Sequence, residues 1–115
     1  MIINNDKGSI EITNEVFTVI AGNAATNCFG VRGMAYRNMK DGLVSLLKRE
    51  NMSRGVKVTF SDDKVNIDVH IIVEHGVNIT AVCESIIKEV RYNVERVTRV
   101  GVGRVDVYVD SIMAD

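Results

Sequence analysis

The chain has 115 residues, 46% of them hydrophobic and 25% charged, with a formal net charge of −1, which is the balance of an ordinary globular protein and not of a disordered or disulfide-built one. No segment reaches the roughly 18 consecutive apolar residues of a membrane-spanning helix, and MIINNDKGSI lacks the basic and apolar regions of an export signal. One cytoplasmic domain over residues 1–115, able to fold without a cofactor, is expected.

Residues 9–12 alternate, with Ile10 and Ile12 on one face and Ser9 and Glu11 on the other, and predict a first strand. Thr13 or Asn14 can cap a helix whose buried stripe is Phe17, Ile20, Ala21, Ala24 and Cys28, ending near Phe29 and Gly30. Cys28 and Cys83 lie far apart without CxxC spacing and fall on apolar helical stripes, so both read as reduced core residues. Met39, Leu43, Leu46 and Leu47 keep helical spacing around the turn-like Asp41-Gly42 pair. They predict an irregular basic loop over 33–41 and a second helix over 42–50.

Val56, Val58 and Phe60 alternate with Lys57 and Thr59, and Val65, Ile67, Val69, Ile71 and Val73 alternate with Asn66, Asp68, His70, Ile72 and Glu74. With the polar Ser61, Asp62, Asp63 and Lys64 between them, these two strands form an antiparallel hairpin. After His75-Gly76, Asn78 or Thr80 caps a long helix whose core face is Cys83, Ile87, Val90, Val94 and Val97. Its opposite side, Glu84, Lys88, Arg91, Glu95 and Arg99, pairs opposite charges as a solvated face does. A last strand turns Val105, Val107 and Val109 inward and Asp106, Tyr108 and Asp110 outward, with a bend or bulge at Gly101 and Gly103 where the parity of Val100 and Val102 reverses. The order β-α-α-β-β-α-β defines an α+β fold of two layers, with helices on one face of a mixed sheet.

Chemistry is sparse. His70 and His75 are the only usual bases, and neither sits in a nucleophile motif, so no catalytic residue is assigned. His70, Glu74, His75 and Cys83 match no metal-ligand spacing, and Asp62 and Asp63 read as turn formers. Seven basic and two acidic residues fall between Arg32 and Lys57, against seven basic and thirteen acidic elsewhere. Gly30, Val31, Arg32 and Gly33 spell G-x-x-G between two predicted helices, as in the type I KH topology. Gly30, Arg32 and Gly33, with Arg37 and Lys40, are therefore the candidate contacts for a nucleic acid or another anionic partner. Missing a second basic residue in that loop, acidic overall, and followed by an extra strand, the chain fits a protein-binding reading better, including self-association through a strand edge.

The segments GSIEITNEVFTVIAGNAA, CFGVRGM, DGLVSLLKREN, RGVKV, VNIDVHIIVEHGVNI, KEVRYNVERVT and VDVYVDSI together resemble the alkaline-shock-protein family of Gram-positive bacteria over nearly the whole chain. Ile20-Ala21, Gly30-Val31, Gly55-Val56, the Gly76 to Ile79 turn and the valine-rich last strand carry the resemblance. It implies a small, non-enzymatic cytoplasmic protein connected with cell-envelope homeostasis or stress. Some relatives are held at the membrane by a separate anchor protein, and others are linked to regulation of fatty-acid precursor synthesis. The family has no agreed catalytic residues to carry over.

Overall fold

The computed structural model describes residues 1–37, 44–46 and 55–114. A two-stranded ribbon comes first, β1 (Ile2–Asn5) paired antiparallel with β2 (Gly8–Glu11). The Asn5 side chain shapes its turn by accepting the Lys7 and Gly8 N–H groups at 2.8 and 3.0 Å. Only the second of these strands is legible in the alternation, because Ile2, Ile3, Asn4 and Asn5 show none.

Helix α1 (Asn14–Thr26) starts at Thr13, whose side chain makes no capping bond, and buries Phe17, Ala21, Ala24 and Ala25. It stops earlier than its apolar spacing suggests. The Thr26 hydroxyl bonds back to the Gly22 carbonyl at 2.9 Å, and Gly30 takes a left-handed conformation with φ of 88°. A Cβ on Gly30 would lie 2.8 Å from Val82 Cγ2, so both conformation and packing require glycine there.

The chain then enters β3 (Val31–Arg37), which pairs antiparallel with β4 (Val44–Leu46), Ala35 opposite Leu46 and Arg37 opposite Val44. This corrects two expectations. Residues 33–37 are strand instead of irregular loop, and 44–46 are strand where a second helix was expected; the other residues of those two stretches lie outside the described set. Leu43, Leu46 and Leu47 satisfy a helical period, but Val44-Ser45-Leu46 also alternates, and sheet pairing decides such short runs.

The expected hairpin forms from β5 (Val56–Ser61) and β6 (Lys64–Glu74). Its turn is tighter than the sequence suggests: Ser61 pairs with Lys64, and Asp62 and Asp63 both have positive φ, 52° and 62°. That is the type I′ geometry whose twist matches the strands it joins. Helix α2 (Ile79–Thr98) follows, with the Asn78 side chain accepting the Ala81 N–H at 3.0 Å, and crosses over to β7 (Val102–Met113), which lies parallel to β6.

Strand β6 is the spine of the molecule. Along one side it pairs with β7 from Val65 to Glu74; along the other it pairs first with β5 and then, at Ile71 to Val73, with β3. Its inward residues Val65, Ile67, Val69, Ile71 and Val73 are fully buried beneath Phe17, Ala21, Val82, Ile86, Val90 and Val94 of the two helices. The architecture is α+β in two layers, with the helices on one face of a mixed sheet. The row that α2 buries is Val82, Ile86, Val90 and Val94. The sequence pointed to Cys83, Ile87 and Val97 as well, yet Ile87 is 36% and Val97 54% exposed. The two rows share Val90 and Val94 and differ by a small rotation of the helix, which only its tertiary neighbours fix.

Candidate functional site

The G-x-x-G segment runs from the turn after α1 into the first residues of β3, and does not join two helices. Gly30 packs under Val82 and Val77, and its carbonyl accepts the Glu74 N–H at 2.9 Å. Val31 and Gly33 pair with Val73 and Ile72 of β6, leaving Arg32 as an extra residue between them. The Arg32 guanidinium lies 3.6 Å from the Glu74 carboxylate, with both side chains about half exposed. The structure thus brings Gly30, Arg32 and Gly33 together at the start of a strand, with an acid beside the one charge. Arg37 occupies the far end of β3, and Lys40 lies outside the described residues.

The face of the sheet turned away from the helices carries a cluster that the sequence does not reveal. Parallel pairing sets Tyr108 beside His70, where the rings stack at 4.6 Å and 11°. Asp110 is a bulge residue, skipped between the pairs Ile71–Val109 and Ile72–Ser111. Its carboxylate, only 11% exposed, comes within 2.9 Å of His70 Nδ1, where an N–H donates to it. A carboxylate that orients an imidazole is one part of a catalytic relay; a nucleophile and an enclosing cleft are the others. His75 sits in the turn beyond β6, and among the described residues no three or more His, Cys, Asp or Glu side chains are grouped to hold a metal ion. Alternation places His70, Tyr108 and Asp110 on one side of their strands, but the register that joins them is a tertiary fact.

On the helical layer a groove of about 620 Å³ runs between α1 and α2. The Ser85 hydroxyl donates to Cys28 Sγ at 3.7 Å, tying the end of α1 to the first half of α2. Ile20, Ala24, Cys28, Phe29 and Val97 give the groove apolar walls, and Asn23, Asn27, Ser85 and Asn93 give it polar ones. Glu89 and Arg96 add one charge of each sign. Burial pushes the Cys28 thiol above its usual range, with the Ser85 hydrogen bond opposing the shift and the nearby Glu89 charge adding to it. The thiol itself donates to the Ala24 carbonyl at 3.3 Å, as a neutral S–H does. Phe29, just beyond the helix, is 90% exposed. Sequence reasoning named Phe29 only as a helix end and assigned Val97 to the core; the clue to Phe29 was its place directly before a glycine that must turn the chain away.

The outer side of α2 is less uniformly solvated than its charge pattern suggests. Arg91 donates to the Val102 and Gly103 carbonyls, and Glu95 accepts the Val102 N–H at 3.0 Å, so both fasten the first residues of β7. The expected irregularity falls at Gly103, which β6 skips between Val65–Val102 and Asn66–Arg104. Among the described residues, no helix is long and apolar enough to cross a membrane.

The two-layer α+β fold is shared by a solved variant of the MamM CTD, which superposes with a TM-score of 0.57 over 90% of this chain and 98% of that one, at 14% sequence identity. That likeness concerns the fold alone. Residues 2–114 match the model of the alkaline shock protein 23 family, cell envelope-related function, which is the alkaline-shock-protein family, and the chain belongs to it. It is 41% identical over 106 residues to uncharacterized protein YloU of Bacillus subtilis, covering 91% of this chain and 88% of the relative. It is 34% identical over 108 residues to YqhY of the same organism, covering 94% and 79%. A stress response regulator gls24 homolog of Streptococcus pyogenes is 30% identical over 109 residues, and the match spans 92% of this chain but 59% of that longer protein.

Proposed function

We propose that this chain serves its family's envelope-related role as a non-enzymatic interaction module, binding a protein partner in the groove between α1 and α2. The observation that carries this reading is Phe29. It is among the largest apolar residues of the chain, and it stands 90% exposed beside a groove whose walls already include the exposed Val97. Covering one such side chain contributes about 1.5–3 kcal/mol, and interface anchors are typically large aromatic side chains set in grooves of this kind. The asparagines and the Glu89 and Arg96 charges around it supply the polar rim that fixes orientation.

The test uses Phe29→Ser and Val97→Ser, two exposed positions whose replacement leaves the buried row of α2 untouched. A partner retained by the wild-type chain from nuclease-treated extract should be lost by both variants while their circular dichroism and melting temperature stay unchanged. Equal retention by all three proteins overturns the reading. Binding that disappears with nuclease would instead favour the nucleic-acid alternative at Gly30, Arg32 and Gly33.

A further inference from the structure

The outward row of α2 reads Glu84, Lys88, Tyr92 and Glu95, the left-handed C-cap Arg99 follows at the end of the helix, and all five residues are exposed. Taken from either end, its charges run negative, positive, aromatic, negative, positive, or the mirror sequence with every sign reversed. A row of that kind is complementary to itself when two copies meet antiparallel about a two-fold axis. We infer that α2 pairs antiparallel with the α2 of a second copy of this chain, with the axis between Arg91 and Tyr92.

That register sets Glu84 opposite the second copy's Arg99 and Lys88 opposite its Glu95, and symmetry doubles each contact. Other arrangements fail on charge. Sliding one helix by about a turn in one direction brings Glu84 to Glu95 and Lys88 to Arg91, and sliding it the other way brings Lys88 to Arg99. A parallel pair puts every charge against its own kind. The selection of a single register is the role charged flanks play in paired helices.

Two features of the surface prepare it for this contact. Glu95 is held in place by the Val102 N–H that it accepts, so one of the facing carboxylates is already ordered. A shallow concavity of about 480 Å³, walled by Lys88, Glu89, Arg91, Tyr92 and Glu95, lies at the centre of the row. Tyr92 is 60% exposed beside it, with the Arg96 guanidinium 5.9 Å from its ring centre. Across the two-fold axis each Tyr92 ring meets the concavity of the other copy, giving an aromatic anchor at the centre and ion pairs at the rim. The contact uses the side of α2 turned away from the core, and it goes beyond the partner reading without depending on Phe29.

The interface is small and its pairs are exposed, so the dimer should be weak and salt-sensitive. Sedimentation equilibrium on the full chain should show a monomer–dimer equilibrium at low salt, with a dissociation constant that rises by about tenfold at high salt. Glu84→Lys sets two pairs of like charges across the axis and should weaken the dimer by about tenfold, as should Arg99→Glu. Combining the two exchanges restores the pairing and should return the constant to within about threefold of wild type. A chain that stays monomeric at millimolar concentration in low salt overturns the inference. So does a dimer indifferent to Glu84→Lys, or one that the double exchange fails to restore.

Discussion

Helix α2 and the segment just past α1 carry apolar residues of two fates. Val82, Ile86, Val90 and Val94 are buried against β6 and α1, while Val97 and Phe29 are no less apolar and remain largely in water, with Ile87 partly so. The sheet is closed on its helical side without the second set, whose members are available for something other than folding. The contrast separates residues that hold the domain together from residues that present a surface, and it does so on one helix and its neighbour.

The sharpest way to break that contrast is to shorten one residue of each kind. Ile86→Ala should lower the unfolding free energy by about 3–4 kcal/mol, through lost transfer energy and the cavity left behind, whereas Val97→Ala, at an exposed position, should cost under about 1 kcal/mol. Denaturant titration of the two variants measures both; equal losses would mean that the buried row is misassigned. Gly30→Ala should cost about 2–3 kcal/mol, because it places a side chain at positive φ and against Val82. A stable Gly30→Ala protein would show that α1 can leave the core by another route.

The two helix starts make a finer comparison. Asn78→Ala removes a side-chain bond to the Ala81 N–H and should cost about 1 kcal/mol. Thr13→Ala, at a cap whose side chain makes no such bond, should be smaller in the same thermal melts. The smallest effect expected is one of pH at Cys28. Its folded-state pKa is raised, chiefly by burial, so its contribution to stability is intact below the ordinary thiol pKa of about 8.5 and is lost as pH climbs through the higher folded value. Wild-type stability should therefore decline over that alkaline range more steeply than that of Cys28→Ala, as read from denaturation midpoints at successive pH values.

Those outcomes also mark how far the sequence could be read. The β5–β6 hairpin was legible because alternating apolar residues, from Val56 to Phe60 and from Val65 to Val73, flank a polar tetrapeptide, and no other element competes for that pattern. A cap at Asn78 or Thr80, a bend or bulge at Gly101 and Gly103, and the layered α+β arrangement followed from local chemistry of the same kind, and the structure places the cap at Asn78 and the irregularity at Gly103. Strands β3 and β4 did not, since Val44 to Leu46 fits two periods and only the partner strand chooses between them. The row that α2 buries escaped for a related reason: Val82 and Ile86, or Cys83 and Ile87, each lead into Val90 and Val94. The candidate surface was the least legible part. Sequence reasoning placed a possible contact at Gly30 to Gly33 by motif, whereas the glycine at position 30 answers to Val82 and Val77. The meeting of His70, Tyr108 and Asp110 required a parallel register and a bulge that no local signal encodes.

Exposure of Phe29 and Val97 for a partner, and not for the fold, is the central proposal. Parallel affinity capture with wild-type, Phe29→Ser and Val97→Ser baits, each checked by thermal melt, addresses it most directly. The prediction is three melting curves within the shift expected for about 0.5 kcal/mol, and a nuclease-resistant partner held by the first bait alone. Partner retention by all three, or collapse of the fold in both serine variants, would contradict it.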